Sequence, residues 1–489
     1  MAESAKKAKK KRGMPTSFTI LFACLVLVAL CTWIVAAFTP DVTGATLAQV
    51  MQAPFEGFKN AIDVCLFVIV LGGFLAIVNK TGALDAGVAA LVRKLGDRDV
   101  LLIPVLMILF GVCGSTYGMM EETIPFYILL ASVTFAMGFD SMVGALIVLL
   151  GAGLGTLGST VNPFSVAIAS AALTDKGIAV NQGIVIPVGF LLFVISEVMG
   201  IVFVMRYAKR VKADRSASAM TTDELAAMER AYSGETDDAT DLAGARLTGK
   251  QKLVLALFAL SFVVMIVAFI PWESFGIDVF TLGATPDNPG TAWSAILTGL
   301  PLGEWYFTEC GIWFFVVSIV IGLVGGLSEK ELVNTFVDGA STMISTALVI
   351  AVARAISVLM TQTGLDVFVL EAAASALSGV SAVVFAPASY ALYFVLSFLI
   401  PSSSGMATVS MPIMGPLADS LHFSSEIMIM IYVAAHGVVA MIAPTNGVIV
   451  SGLELARTSY TSFLKLTAKF FVVLTVVTAA VLTVLMLVL

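Results

Sequence analysis

Two neighbouring carboxylates, Glu121 and Glu122, stand inside strongly apolar sequence. An ionised carboxylate in hydrocarbon costs several kcal/mol, so an acid at that depth is a candidate functional group by default. It could hold a cationic substrate or carry a proton. The alternative is structural, because acids are also favourable at the N-terminus of a helix. We expect at least one of the two to contact substrate or a coupled proton.

Three further ionisable residues lie in the body of apolar runs. The basic one is Arg354, and a guanidinium suits a bidentate contact with a carboxylate. It could bind a substrate carboxylate, or it could neutralise Glu121, Glu122 or Glu197 as a fixed internal pair. Both readings stay open. Glu197 and His436 are candidate proton sites, although a hydrogen-bonded core histidine is the commoner case.

A short polar interruption occurs twice in the apolar sequence, at residues 114–126 and 401–413. Each copy has small hydroxyl residues, then Gly-Met, then Pro seven residues after that Gly. We interpret them as the tips of two re-entrant helical hairpins, at about 100–138 and 382–421. The tip hydroxyls are candidate substrate ligands: Ser115, Thr116, Ser402, Ser403 and Ser404.

Two further apolar runs contain sequences that cannot stay regular helix. Residues 140–172 are interrupted by a Gly-rich stretch that ends in Asn-Pro, and residues 424–456 are interrupted by Pro-Thr-Asn-Gly. Gly is entropically costly in a helix, and Pro lacks an N–H donor. Unwound backbone at such breaks coordinates ions and substrates. The candidate substrate ligands here are Asn162, Thr445 and Asn446, and the candidate Na⁺ ligands are Ser159, Thr160, Asn162, Thr445 and Asn446.

The composition places these elements in a lipid bilayer. The 489 residues are 59% hydrophobic and 12% charged, whereas soluble globular proteins carry about 25% charged residues. The apolar runs are long and do not alternate, so we predict an all-α integral membrane protein. Phosphate-loop, zinc-protease and hydrolase-elbow motifs are absent. We therefore expect no enzyme, no nucleic-acid partner, and no cofactor or metal other than a coupling Na⁺ or H⁺.

The chain divides into two similar halves, each with span, span, interfacial piece, hairpin, broken span and span. The predicted segments are a basic N-terminus (1–17), a first repeat (18–207), a polar linker (208–251), an extra transmembrane helix (252–270), an extracytoplasmic loop (271–310) and a second repeat (311–489).

Lys and Arg concentrate in the N-terminus and the linker, which predicts that both are cytoplasmic. The extra helix inverts the second half relative to the first. Inverted repeats are typical of secondary transporters, whose site lies between discontinuous helices.

Three stretches resemble a known family. They are Tyr-Gly-Met-Met-Glu-Glu-Thr-Ile-Pro-Phe at 117–126, Gly-Ser-Thr-Val-Asn-Pro-Phe at 158–164 and Ala-Arg-Ala-Ile at 353–356. They resemble the YfcC-like branch of the C4-dicarboxylate anaerobic carrier family, in the ion transporter superfamily. That branch also contains proteins assigned as arginine/ornithine antiporters. The resemblance implies a homodimeric elevator carrier in a bacterial inner membrane, with hairpins and broken spans moving past a scaffold. Na⁺-coupled members of the superfamily carry Ser-Asn-Thr tips, from which this chain departs at both tips.

Three functions remain in view. A basic amino-acid carrier, exchanging arginine for ornithine, suits the acidic pair Glu121 and Glu122. A C4-dicarboxylate or other carboxylate carrier would use Arg354 as its anion anchor. A membrane-embedded enzyme using the two acids as an acid/base pair is less favoured, because an enzyme has no need of symmetric access from both faces.

Overall fold

The computed structural model is helical throughout the part of the chain that it describes. It describes residues 17–84, 86, 87, 90, 100–242, 247–270, 272–285 and 288–489. The predicted basic N-terminus, except for residue 17, and most of the predicted interfacial piece after residue 82 lie outside these residues. Within them, the one β-type pairing is an isolated bridge between Thr285 and Asn288.

The first ten helices belong to the first half and the segment that follows it. They are α1 (Ser17–Ala36), α2 (Leu47–Asn60), α3 (Ile62–Lys80), α4 (Leu102–Tyr117), α5 (Ile124–Ala136), α6 (Ser141–Leu157), α7 (Ile168–Thr174), α8 (Gln182–Ala213), α9 (Thr222–Leu242) and α10 (Gly249–Phe269).

The second half contributes the remaining helices of the described chain. They are α11 (Phe307–Gly325), α12 (Glu329–Thr342), α13 (Ile344–Thr363), α14 (Leu365–Leu377), α15 (Ala382–Leu399), α16 (Ser403–Ser420), α17 (Ser425–Ala440), α18 (Gly447–Leu455) and α19 (Tyr460–Val488). Seven helical segments in the described ranges are long and apolar enough to cross a membrane. The predicted all-α membrane architecture is confirmed.

Each predicted hairpin and each predicted broken span corresponds to a pair of helices. The pairs are α4 with α5, α15 with α16, α6 with α7, and α17 with α18. Helix length does not decide whether the hairpins are re-entrant. At 1.5 Å per residue, the 16 residues of α4 reach about 24 Å. However, α15 is among the helices long enough to cross.

The sequence did not reveal α2 and α12, because their composition is mixed and their apolar stripe is short. Both have 14 residues and begin with a capping box, and one residue separates each from a long apolar helix. The starts of α2 and α12, Leu47 and Glu329, are 282 residues apart. The starts of α3 and α13, Ile62 and Ile344, are also 282 residues apart. Two pairs of helices that include segments absent from the prediction therefore share one spacing along the chain.

These four helices pack crosswise, α2 on α13 and α3 on α12. The contacts are backbone to backbone. A Cβ added at Gly57 of α2 would lie 2.4 Å from the carbonyl oxygen of Ala351, and one added at Gly72 of α3 would lie 2.7 Å from that of Gly339. Interiors this close-packed resist deformation. We call α1–α3 and α10–α13 the scaffold group.

A second group is built around α6 and α17, the most buried helices. Every residue of α6 is buried, and in α17 all except Glu426 are buried. Glycines let α4 lie directly on α6. A Cβ added at Gly114 of α4 would lie 2.1 Å from the carbonyl oxygen of Ala152, and a Cβ added at Gly155 of α6 would lie 2.0 Å from the carbonyl oxygen of Gly111. The first hairpin and the first broken span therefore form one packed unit. We call α4–α8 and α15–α19 the hairpin group.

The polar linker makes defined contacts with the hairpin group. Its first residues continue α8, α9 occupies its middle, and its last residues begin α10. The Glu224 carboxylate of α9 accepts hydrogen bonds from the Ser459 backbone N–H at 2.6 Å and the Ser462 hydroxyl at 2.8 Å. These contacts attach α9 to the turn between α18 and α19.

Packing at Gly114 predicts an asymmetric response to one added methyl group. We expect Gly114→Ala to destabilise the protein by about 1–3 kcal/mol, because the methyl group would meet backbone that has no room to move. Gly311→Ala is the matched control, since nothing lies within 4 Å of the position of its Cβ. It should be neutral or stabilising. Thermal unfolding in detergent measures both, and equal melting temperatures would contradict the packing described.

The Glu224 contacts predict a pH-dependent linker. Partial burial opposes ionisation of Glu224, but hydrogen bonds from Ser459, Thr221 and Ser462 outweigh it and lower the pKa of the carboxyl. A lowered folded-state pKa means that the stabilisation is present at neutral pH and is lost only as pH falls through that lowered value. Glu224→Gln should therefore increase hydrogen exchange in α9 at pH 7. Glu229→Gln, which changes an acid of α9 that forms an exposed ion pair with Arg215, should not.

Candidate functional site

The two tips and the two breaks meet at one polar cavity. Its volume is about 100 Å³, and it lies between the scaffold and hairpin groups. Val64, Phe307 and Arg354 face it from the scaffold group. The predicted site residues that line it are Glu121, Asn162, Arg354, Ser402, Ser403, Ser404, His436 and Asn446. Residues from both halves thus converge, although they are up to 325 positions apart in the chain, from Glu121 to Asn446.

The first tip is shaped by Gly118, which ends α4. Its φ of +79° belongs to the left-handed region that favours glycine. A Cβ at this position would also lie 2.6 Å from the side-chain nitrogen of Asn162. Only glycine satisfies both conditions, so the first tip rests directly on the first break.

The two neighbouring acids occupy different environments. Glu122 is 1% exposed, and its Oε2 accepts a hydrogen bond from the Met120 backbone N–H at 3.0 Å. Glu122 therefore has the structural role, in which an acid accepts a hydrogen bond from backbone at the start of a helix. Glu121 is half-buried and lines the cavity. Of the pair, Glu121 is the acid positioned to contact a substrate.

The hydroxyls of the first tip do not line the cavity. The Ser115 hydroxyl donates to the Gly158 carbonyl oxygen at 2.8 Å, and the Thr160 backbone N–H donates to the Ser115 carbonyl oxygen at 2.8 Å. Thr116 donates back into its own helix, to the Val112 carbonyl oxygen. Ser115 and Thr160 therefore join the first tip to the first break, whereas the Thr116 hydroxyl has its hydrogen-bond partner within its own helix.

The second tip presents a helix N-terminus to the cavity. Ser402 caps α16, with its hydroxyl accepting from the Gly405 backbone N–H at 3.1 Å. Ser403 and Ser404 form the first turn, where backbone N–H groups lack helical partners and attract anions. The Tyr432 hydroxyl donates to the Ser403 carbonyl oxygen and holds this turn against α17. All three serines line the cavity.

The two asparagines of the breaks play the same structural part. The side-chain oxygen of Asn162 accepts from the Phe164 backbone N–H at 2.9 Å, and that of Asn446 accepts from the Val448 backbone N–H at 3.0 Å. Each amide nitrogen also donates within its own break, to the Ser159 hydroxyl and the Ala440 carbonyl oxygen respectively. Both asparagines cap the half-helix that follows the break while they line the cavity.

The proposed Na⁺ ligands are therefore mostly engaged in holding the breaks together. Besides the asparagines, the Ser159 hydroxyl donates to the Thr156 carbonyl oxygen at 2.7 Å, and the Thr160 hydroxyl to that of Ser115 at 3.2 Å. The hydroxyl of Thr445 is buried without a hydrogen-bond partner among the described residues. Neither Ser159, Thr160 nor Thr445 lines the cavity.

The guanidinium of Arg354 is available to a ligand. Arg354 belongs to α13 and lines the cavity. Among the described residues, no carboxylate oxygen lies within 4.0 Å of its guanidinium nitrogens. A fixed salt bridge to Glu121, Glu122 or Glu197 is thus not formed in this conformation. Arg354 and Glu121 instead line one cavity as separate groups, a guanidinium and a carboxyl.

The two candidate proton sites lie in different places. His436 lines the cavity, and its Nδ1 lies 3.2 Å from the Ser397 hydroxyl. Glu197 lies outside the cavity, on α8, where both carboxyl oxygens are buried without a hydrogen-bond partner in the described chain. A Cβ at Gly111 of α4 would lie 3.0 Å from its Oε2, so it packs against the first hairpin.

Two aromatic residues of the cavity were missed by sequence reasoning. Phe164 follows the first break and Phe307 begins α11; both line the cavity. Phe164 directly follows the Asn-Pro of the first break, which is a signal for its position. Phe307 carried no signal, because it follows an irregular loop and is one of 32 phenylalanines.

A wider cavity reaches the site from one side. It has a volume of about 560 Å³ and shares Arg354, Ser402 and Ser404 with the central cavity. It continues along α13 to Thr361 and Asp366. The central cavity therefore has a polar approach beside the second tip.

Residues 39–487 match the C4-dicarboxylate anaerobic carrier family (DcuC). The chain belongs to this family. The resemblance deduced from the tip and break sequences is thereby confirmed, and the protein is a multi-pass membrane transporter and not an enzyme.

The chain is also similar to two individual proteins. An uncharacterized protein of Haemophilus influenzae is 29% identical, over 94% of each chain. YfcC of Escherichia coli, named as a proposed basic amino acid antiporter, is 26% identical over 87% of this chain and 79% of its own.

Two solved structures cover almost the whole chain. The YdaH transporter of Alcanivorax borkumensis matches with a TM-score of 0.46 and 14% identity, over 96% of this chain and 98% of its own. MtrF of Neisseria gonorrhoeae, described within a class of antimetabolite efflux pumps, matches with a TM-score of 0.45 and 15% identity, over 98% and 96%. At these scores the details of either structure do not transfer to this carrier.

The roles of Ser115 and Thr116 in this carrier make a simple prediction. Ser115→Ala removes hydrogen bonds between the first tip and the first break, so we expect a loss of about 1 kcal/mol or more of stability. Thr116→Ala removes only a bond within its own helix and should change stability little. Melting temperatures of the two variants test this. A larger loss for Thr116→Ala would contradict the geometry.

Proposed function

We propose that this carrier exchanges basic amino acids, arginine against ornithine, across the membrane. The observation that carries the proposal is the presence of both Glu121 and Arg354 in the lining of one cavity. An amino acid with a cationic side chain has a carboxylate at one end and a cation at the other. A site with one charge of each sign, held apart, complements such a molecule.

The substrate carboxylate has two partners on the same side of the cavity. Arg354 offers a planar donor that binds carboxylates in bidentate fashion. The first turn of α16 offers backbone N–H groups and the positive end of a helix dipole. Ser402 and Ser404 lie with Arg354 where the wider cavity joins the central one. A substrate arriving through the wider cavity would meet these groups first.

The substrate cation would then contact Glu121. This carboxylate lines the cavity, while Glu122 is occupied by its hydrogen bond to Met120. In a site excluded from water, a carboxylate contact contributes more to binding than it does at an exposed surface. The name of YfcC, a relative over 87% of this chain, supports the same substrate class.

We infer further that transport uses an elevator movement of an inverted repeat. The equal spacing of α2, α3, α12 and α13 and their crosswise packing support the repeat. The close packing of α4 on α6 supports movement of the hairpin group as one body. The cavity at the boundary between the groups supports that body as the carrier of substrate. The cytoplasmic N-terminus and the homodimer stay predictions, as do the re-entrant hairpins.

A C4-dicarboxylate carrier is the second candidate. The family name and the concentration of anion-attracting groups around Arg354 favour it. In that case the second substrate carboxylate would have to lie near Glu121, which would have to be protonated. Either transport function is compatible with coupling to H⁺, with Glu197 or His436 as the proton site. For coupling to Na⁺, Thr445 would be the main ligand, because its hydroxyl has no hydrogen-bond partner among the described residues.

Exchange in proteoliposomes separates the two candidates. Vesicles containing the purified protein and loaded with ornithine should accumulate labelled arginine and not labelled succinate. Glu121→Gln should lower arginine uptake by about 30-fold or more, which corresponds to ~2 kcal/mol of lost binding. Glu371→Gln, an exposed acid of α14, is the matched control and should leave uptake unchanged.

The dicarboxylate candidate predicts the opposite result. Succinate would exchange, Arg354→Gln would abolish that exchange, and Glu121→Gln would leave it largely intact. Melting temperatures of each variant with and without substrate show whether a loss of uptake is a loss of binding, because a ligand stabilises the folded state by mass action.

A further inference from the structure

The central cavity has an aromatic wall as well as two charges. Phe164 and Phe307 line it together with Glu121. Their rings are stacked, with centroids 5.9 Å apart and an interplanar angle of 21°. They come from different groups: Phe164 follows the first break, and Phe307 begins α11 of the scaffold group. We call the two residues the aromatic pair.

The aromatic pair is held in place from several directions. The Phe164 backbone N–H donates to the Asn162 side chain at 2.9 Å, which fixes the chain just before the ring. The ring of Phe67 lies 5.5 Å from that of Phe307, and the ring of Tyr306 lies 5.5 Å from that of Phe164 at 82°. Offset and edge-to-face contacts of this kind stabilise ring orientation. The pair is therefore a pre-organised surface.

The aromatic pair does not leave space for a third planar group between its rings. Contact on both faces would need about 7 Å between rings, at about 3.5 Å for each contact, and the centroids are 5.9 Å apart. A planar ligand group would stack on the cavity side of the pair, or part the rings by at least about 1 Å. Because the rings belong to different groups, such parting requires no change within either group.

We propose that the aromatic pair selects a guanidinium over an ammonium at the cationic end of the substrate. The inference rests on the proposed exchange of basic amino acids and specifies which of them the site prefers. A guanidinium is planar, weakly hydrated and stacks on aromatic faces, whereas an ammonium is a compact and strongly hydrated charge. Glu121 would attract both cations alike. Preference between them comes from the rings.

Competition in the proteoliposome assay tests the selection. For the wild type, the KM for arginine should be several-fold below that for ornithine. Phe164→Leu and Phe307→Leu should each raise the arginine KM about tenfold, with little change in the ornithine KM and in the maximal rate. Phe164→Tyr and Phe307→Tyr keep the ring and should retain the preference. Phe190→Leu, at a position 58% exposed on α8, is the control for a loss of ring volume alone.

The outcomes are distinct. A wild type that binds ornithine as tightly as arginine overturns the selection, whether or not the leucine variants fold. Leucine variants that change both KM values equally also overturn it and leave the aromatic pair with a packing role. A wild type that exchanges neither amino acid overturns the proposed function itself, and the selection falls with it.

Discussion

A backbone group that loses its helical partner inside a membrane has no water to replace that partner. This constraint governs the architecture around the central cavity. Two breaks and two tips expose such groups, and each exposure has a dedicated remedy. Asn162 and Asn446 cap the half-helices that follow the breaks, Ser402 caps α16, and Ser115 joins the first tip to the first break. The first turn of α16 lies beside the cavity, where its backbone N–H groups lack helical partners and can bind an anionic group of a substrate.

The two halves share this plan but not its charges. The second tip supplies a helix N-terminus and three serines, whereas the first tip supplies Glu121. Arg354 comes from the scaffold group, on α13. An anion-attracting region thus lies beside the second tip and an acid beside the first. The repeat that we propose would place the site between the halves, and the difference between the tips would let one site orient a molecule with unlike ends.

The contacts within the scaffold group and within the hairpin group differ from the contacts between the two groups. Within each group, glycines bring backbones into direct contact, as at Gly57 and Gly114. Between them lie the cavity, the aromatic pair and one close approach of backbone, where a Cβ at Gly447 of α18 would lie 3.2 Å from the Ile350 Cα of α13. Movement along this boundary would exchange these contacts and leave the backbone packing within each group intact. That difference is the physical basis on which we propose an elevator.

Much of this was predictable from the sequence, and the reasons for the rest are physical. Long apolar runs and Gly- or Pro-rich interruptions are local signals, so the sequence indicated the helix pairs and the second break. The expectation for the first break was partly wrong, because α6 stays helical through Gly151, Gly153 and Gly155 and ends only at Leu157, where close packing of neighbouring backbone favours glycine. The division of labour between Glu121 and Glu122 was not predictable, because neighbouring acids differ only in what surrounds them. Ser115 and Thr116 read as ligands yet bond to backbone instead. Phe307 and the short helices α2 and α12 were missed because their roles arise from distant packing partners.

A structure determined with bound arginine is the decisive experiment. We expect ligand density in the central cavity, with the carboxylate on Arg354 and the first turn of α16 and with the guanidinium on Glu121. Density confined to the wider cavity beside Asp366, or a ligand with its cationic end toward Arg354, would rule out this mode of substrate binding.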